Sequence, residues 1–258
     1  MPVSTPASQQ WIRRYHPAPA ARVGLVCFPH AGGSAPYYAP LAAALAPSVD
    51  VLAVQYPGRQ ERRRVPPVDD VRALARQSYD ALAEAGFDGT GRPLALFGHS
   101  MGALVAFEVA RLMEQRGDGG PAVLFASGRR APSRVRAGTG IPRDDASIVA
   151  DIRALGGTDA RFLEDPELLG MVLPALRSDY RAVAGYRSAA DAAIAAPVVV
   201  LVGDADPHTT PEEARAWRSH TSGPFEVRTF PGGHFYLEDQ QRAVTAALAE
   251  VLRDVAGA

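Results

Sequence analysis

The apolar run Leu94-Ala95-Leu96-Phe97 breaks into Gly98-His99-Ser100-Met101-Gly102 and passes at once into Ala103-Leu104-Val105-Ala106-Phe107-Glu108-Val109-Ala110. This reads as a strand, a sharp turn and a helix, with a serine at the apex. Such a turn aims the serine hydroxyl into open space at the end of a sheet. The flanking glycines are required because side chains there would collide with the neighbouring strand and helix. The alternative, an ordinary serine in a glycine-rich turn, leaves the strand and helix on either side without a reason to meet so abruptly.

Five further apolar runs accompany this one: Val23–Phe28, Val49–Tyr56, Val123–Ser127, Val198–Val202 and Phe225–Phe230. Most are continuously apolar rather than alternating, as expected of parallel strands covered on both faces. Helical patterns lie between them, near Tyr37–Leu45, Val68–Ala85, Met101–Arg116, Pro211–Ser219 and Glu238–Val255. Strand alternating with helix predicts a doubly wound, mostly parallel α/β sheet. An additional strand is expected around Trp11–Tyr15. The 258 residues suffice for one large domain spanning 1–258.

The rhythm breaks once. Between Arg129 and Ala196 no strand is expected; a Gly/Pro-rich stretch leads to helical patterns at Ala146–Leu155 and Glu167–Tyr186. A helical insertion over 129–196 falls where a lid would sit above the carboxyl ends of the strands. A peripheral helical subdomain without a gating role fits the same pattern.

Composition narrows the function classes. A net charge of −1 gives no nucleic-acid footprint or polybasic membrane contact. No apolar run approaches a membrane span, and Met1–Gln10 lacks the apolar region of a secretory signal. The single cysteine, Cys27, lies in an apolar strand and reads as a small buried hydrophobe. Together these point to a cytoplasmic protein. The chain has no lysine, which removes Schiff-base chemistry and the phosphate-loop lysine. No Cys/His group has metal-ligand spacing and no Gly-x-Gly-x-x-Gly follows a strand, so neither a metal nor a dinucleotide cofactor is expected.

A serine nucleophile needs a base, and the base needs an acid to hold its tautomer. Behind a strand–serine–helix turn the chain order is serine, acid, histidine, which sets aside His16, His30 and His99. His220 ends a helical pattern, where capping carbonyls is the expected role. His208 follows the candidate acid too closely to face the same turn from a separate loop. His234 remains, in Pro231-Gly232-Gly233-His234-Phe235 just after the last strand. The acid is expected in Gly203-Asp204-Ala205-Asp206-Pro207. Asp204 could bond its own turn. Asp206 lies further out, ahead of the helix start Thr210-Pro211-Glu212-Glu213, and is favoured. Oxyanion donors are expected at the Met101 amide and at the Ala31 amide of Pro29-His30-Ala31-Gly32-Gly33-Ser34, whose glycines allow close approach. His30 is either structural or part of the pocket lining.

The segments Trp11-Ile12-Arg13-Arg14-Tyr15-His16-Pro17, Phe28-Pro29-His30-Ala31-Gly32-Gly33-Ser34-Ala35, Val54-Gln55-Tyr56-Pro57-Gly58-Arg59, Phe97–Ala103, Ser127–Pro132, Leu173–Tyr180, Gly203–Pro207 and Gly232–Leu237 occur in that order. As a set they resemble the type II thioesterases that accompany modular polyketide and non-ribosomal peptide synthases, on the α/β-hydrolase fold. The resemblance implies an editing enzyme that strips stalled acyl groups from the phosphopantetheine arm of carrier proteins. The phosphopantetheine belongs to the substrate, so no cofactor of the enzyme is implied. It also implies a mobile lid shaping an acyl chamber, to which Met171, Val172, Leu173 and Leu176 could contribute; packing of these side chains against the body is the alternative. Arg59, Arg62, Arg63 and Arg64, with Arg129, Arg130, Arg134 and Arg136, invite docking of an acidic carrier protein or a phosphate, or are simply solvated. A monomer is expected. A carboxylesterase, an acyltransferase or a cyclising thioesterase would show the same residue chemistry, and a non-catalytic binding protein on this scaffold is the reading from another class.

Overall fold

The computed structural model describes residues 7–89, 91–134, 144–156 and 164–257. The strands are β1 (Ile12–Arg13), β2 (Val23–Phe28), β3 (Val49–Val54), β4 (Leu94–His99), β5 (Val123–Ser127), β6 (Val198–Gly203) and β7 (Phe225–Phe230). They form a seven-stranded sheet in the order β1-β3-β2-β4-β5-β6-β7. β1 pairs antiparallel with β3, Ile12 facing Val54; all other pairs are parallel. The N-terminal strand expected near Trp11 is thus present, though only two residues long.

The helices are α1 (Ala7–Trp11), α2 (Ala39–Leu45), α3 (Val71–Glu84), α4 (Met101–Arg116), α5 (Asp145–Leu155), α6 (Pro166–Gly185), α7 (Pro211–Arg215), α8 (Tyr236–Asp239) and α9 (Gln241–Gly257). Alternate residues of one strand enter different cores. Val26 and Phe28 join Leu96, Phe107, Val200 and Trp217 on one face, while Leu25 and Cys27 join Phe97, Phe125, Leu201 and Leu248 on the other. This is why the strands read as continuous apolar runs: the sheet has helices on both sides. β7 departs from that expectation. It lies at the edge of the sheet, and only Phe230 among its residues is buried.

Parallel pairing puts the carboxyl ends of β2, β4, β5, β6 and β7 along one rim, so the loops after Phe28, His99, Ser127, Gly203 and Phe230 share a mouth. The chain between β5 and β6 contributes α5 and α6. Its two roots are tied to the 3₁₀ turn Ala216–His220. Trp217 Nε1 donates to the Arg129 carbonyl (2.7 Å), and His220 links Ser133 Oγ (2.8 Å at Nε2) to the Ala192 carbonyl (2.6 Å at Nδ1). A carbonyl only accepts, so Nδ1 carries the proton and Nε2 accepts from the Ser133 hydroxyl. Among the described residues no helix is long and apolar enough to cross a membrane.

Candidate active site

Ser100 joins β4 to α4 with φ 54° and ψ −114°. A non-glycine residue in this region stores about 1–3 kcal/mol of strain, which the surroundings must hold. The means of holding it are visible on either side. A Cβ on Gly98 would lie 2.1 Å from the Gly102 carbonyl oxygen, and one on Gly102 would lie 2.0 Å from the Phe28 carbonyl oxygen. The turn is therefore wedged between β2 and its own helix with no room for a methyl group. The Ser100 amide donates to the Ser127 carbonyl at 2.8 Å, fixing the apex to the neighbouring strand end. Met101 opens α4, where the amide has no partner within the helix.

His234 and Asp206 meet in the adjoining loops. Nδ1 lies 3.0 and 2.9 Å from the two Asp206 oxygens, with both side chains buried. A carboxylate accepts only, so Nδ1 carries the proton and Nε2 is left as the basic nitrogen. Asp204 is used otherwise: its exposed carboxylate accepts from the Gly232 amide at 2.9 Å and shapes the loop that carries His234. The His234 ring sits 4.9 Å from the ring of His99, the residue before Ser100. No hydrogen bond joins the Ser100 hydroxyl to His234 among the described residues, a separation common before substrate binds. His99 is itself anchored, Nδ1 lying 2.9 Å from Ser127 Oγ, which in turn meets Tyr236 Oη at 2.7 Å. Burial, together with the neighbouring His234 and His30 rings, holds the His99 pKa well below its ordinary value. A Cβ on Gly128 would come within 2.6 Å of His99 and 3.5 Å of His234, so the residue after β5 must stay small.

The third wall is the loop after β2. Gly33 N–H donates to the His30 carbonyl at 2.9 Å, closing a turn with Ala31 and Gly32 at its centre. Gly32 has φ +75°, the conformation that the third position of a type II turn demands. Its amide donates to Asp179 of α6 at 2.7 Å, and Leu176 of the same helix packs where a Cβ would stand. His30 packs against Tyr37, Phe235 and His99, with a buried Nδ1 that has no partner among the described residues. Burial, then the nearby His234 and Arg59, push its pKa down to about 3, so the ring is neutral at physiological pH.

The inserted helices reach the site at a second point. Asp151 of α5 lies 3.0 Å from His208 Nε2 and accepts from Tyr180 Oη of α6 at 2.7 Å. Burial pushes the Asp151 carboxyl up, but the bonds from His208 and Tyr180 outweigh it and hold the pKa below the ordinary value. His208 donates its amide to Asp206 at 2.8 Å and its ring lies 5.3 Å from that of His234. Proximity along the chain did not take His208 away from this rim; among the described residues it makes no bond to Ser100, but it braces Asp206. Of the side chains considered for an acyl chamber, Met171 is 61% exposed, Leu173 is half-buried and Leu176 is buried.

The arginine-rich loop is corrected by the fold. Arg59 and Arg62 are buried, Arg59 against Asp179 and Arg62 over the Trp11 ring with Nη1 on the Gln55 carbonyl. Neither is free to receive an acidic partner. Arg63, Arg64 and Arg134 are exposed, Arg130 bonds the His208 carbonyl, and Arg136 lies outside the described residues.

A profile of the thioesterase domain matches residues 24–253. Thioesterase PikA5 of Streptomyces venezuelae is 49% identical over 96% of this chain and 87% of its own length. The type II thioesterase BorB from the borrelidin biosynthetic cluster superposes with a TM-score of 0.84 at 49% identity, covering 94% of this chain and 97% of that one. RedJ, a thioesterase of the prodiginine pathway in Streptomyces coelicolor, gives 0.83 at 37% identity over 97% and 91% of the two chains. On the α/β-hydrolase fold described above, this chain belongs to the thioesterase family, among the type II thioesterases of polyketide and non-ribosomal peptide biosynthesis.

Proposed function

We propose that the chain is an editing thioesterase that hydrolyses aberrant or stalled acyl groups from the phosphopantetheine arms of carrier proteins. The observation that carries this reading is the buried Asp206–His234 pair, its imidazole packed against His99, the residue before the strained Ser100. Ser100 Oγ attacks the thioester carbonyl while His234 Nε2 takes its proton, and Asp206 holds the imidazole tautomer and stabilises its charged form. The Met101 and Ala31 amides receive the oxyanion. The departing thiolate leaves readily, its thiol having a pKa of about 8.5 by analogy with cysteine, and takes up the proton held by His234, which is then neutral again. Water activated by His234 then releases the acyl group from Ser100. In this reading the inserted segment 129–196 serves as the lid, His30, Met171, Leu173 and Leu176 border the acyl chain, and the enzyme works in the cytoplasm as a monomer with no cofactor of its own.

The test is mass spectrometry of acyl carrier proteins incubated with the wild type or Ser100→Ala. The wild type alone removes the acyl group, short unbranched chains fastest. Acyl retention in both samples with rapid cleavage of simple oxygen esters gives the esterase reading instead. Resistance of the wild type to a fluorophosphonate gives the non-catalytic one.

A further inference from the structure

Asp179 lies on the inserted helix α6, far along the chain from Ser100, yet it reaches the turn that carries Ala31. Its carboxylate accepts from the Gly32 amide (2.7 Å) and from Arg59 Nη2 at both oxygens (2.8 and 3.0 Å). Arg59 Nη1 also donates to the Gly33 carbonyl at 3.2 Å. Both side chains are buried, Asp179 completely. We propose that Asp179 and Arg59 are positioning residues, a charge pair that locks the His30–Gly33 turn and makes oxyanion binding depend on α6 being seated on the body. This rests on the Ala31 amide being an oxyanion donor.

The backbone groups of the turn support the assignment. The His30 carbonyl is taken by Gly33 N–H, the Gly32 amide by Asp179 and the Gly33 carbonyl by Arg59. The Ala31 amide has no acceptor among the described residues. The turn is therefore held on both sides of Ala31, and its free amide is the donor that the proposed mechanism uses. Leu176 and Asp179 stand three residues apart, on one face of α6, and press on the same glycine. Asp179 holds the plane of the peptide after Ala31, and Leu176 fills the space above it.

A buried ion pair is a poor means of gaining stability, because desolvation cancels most of its attraction and an apolar pair of similar volume often serves as well. An apolar pair, however, cannot accept from Gly32 and donate to Gly33. The charge is explained by the turn rather than by the packing of α6. Burial pushes the Asp179 carboxyl above its ordinary pKa in spite of Arg59 and the Gly32 amide.

The experiment compares the wild type with Asp179→Ala, Asp179→Asn and the Arg59→Met/Asp179→Leu double variant. Three quantities are read: kcat and KM for a propionyl-pantetheine thioester, Ki for the matching trifluoromethyl ketone, which binds as an oxyanion on Ser100, and Ki for the unreactive amide. Asp179→Ala and the double variant should lower kcat by about 10²-fold and raise the ketone Ki by the same factor. KM and the amide Ki should stay within about threefold, as positioning predicts. Asp179→Asn, which can still accept from Gly32, should recover about tenfold. The proposal fails if a folded double variant keeps the wild-type ketone Ki, or if kcat falls with no change in that Ki. Where Asp179→Ala does not fold, the double variant decides. A wild type inert towards the thioester would instead count against the proposed function, and the ketone series would still read the lock.

Discussion

His234 Nδ1 faces both carboxylate oxygens of Asp206, while Asp204, two residues earlier, holds the Gly232 amide. The two aspartates therefore separate by experiment. Asp206→Asn should lower kcat by about 10³- to 10⁴-fold, since the amide can present the wrong hydrogen-bonding partner to Nδ1. Asp204→Asn keeps an acceptor for Gly232 and should stay within about tenfold of the wild type. Steady-state kinetics on one acyl thioester distinguishes them; equal losses would remove the special role given to Asp206.

Gly98 and Gly102 are expected to be intolerant of even a methyl group. Their Cβ positions fall about 2 Å from backbone carbonyls of Gly102 and Phe28, which cannot move without shifting α4 or β2. Gly102→Ala should cost more than about 3 kcal/mol of stability or prevent folding. Chemical denaturation against Gly170→Ala, where nothing lies within contact distance of the new atom, supplies the control.

Acid should destabilise the fold from below about pH 6.5. Burial is the main cause holding the pKa values of His99 and His220 below their ordinary value in the folded chain. As pH falls through 6.5 the unfolded chain takes up protons that the folded chain refuses. Stability then drops by up to about 1.4 kcal/mol per pH unit for each such histidine, until its folded-state pKa is reached. Above pH 7.5 these groups contribute no slope. Urea midpoints between pH 7.5 and 4.5 test this, and His220→Gln should flatten the slope; an unchanged slope would locate its source elsewhere.

The Asp151 bonds to His208 and Tyr180 secure α5 to the rim. Asp151→Ala should speed hydrogen exchange over Asp145–Leu155, reflecting a local loss of about 1–3 kcal/mol. The β4 and β5 amides should be unaffected. Protection unchanged across α5 would mean that other contacts hold it.

The strands and the Ser100 turn were legible because period and punctuation coincide there: an apolar run, a glycine, then a helix pattern. Asp206 and His234 could be found because each follows a strand in a short loop where few titratable groups compete. The apolar residues of β7 do not reveal that it lies on an edge. Arg59 was harder still. In a Pro/Gly-rich loop beside three more arginines it looks solvated, and only the return of α6 brings a carboxylate to it. Asp179 carries no local signal of its own, because nothing in an amphipathic helix says which remote turn its polar face will meet. Nearness along the chain to Asp206 argues against a place for His208 at the rim, yet the bond from its amide to that carboxylate folds the loop back and returns its ring there.

The two roots of the inserted segment converge on His220, which grips Ser133 on the way out and Ala192 on the way back. The excursion thus leaves and re-enters the body through a single joint. A segment mounted this way is a cassette: a relative's version should graft between the same two anchor points without re-threading the sheet, provided that it brings its own carboxylates to Gly32 and His208.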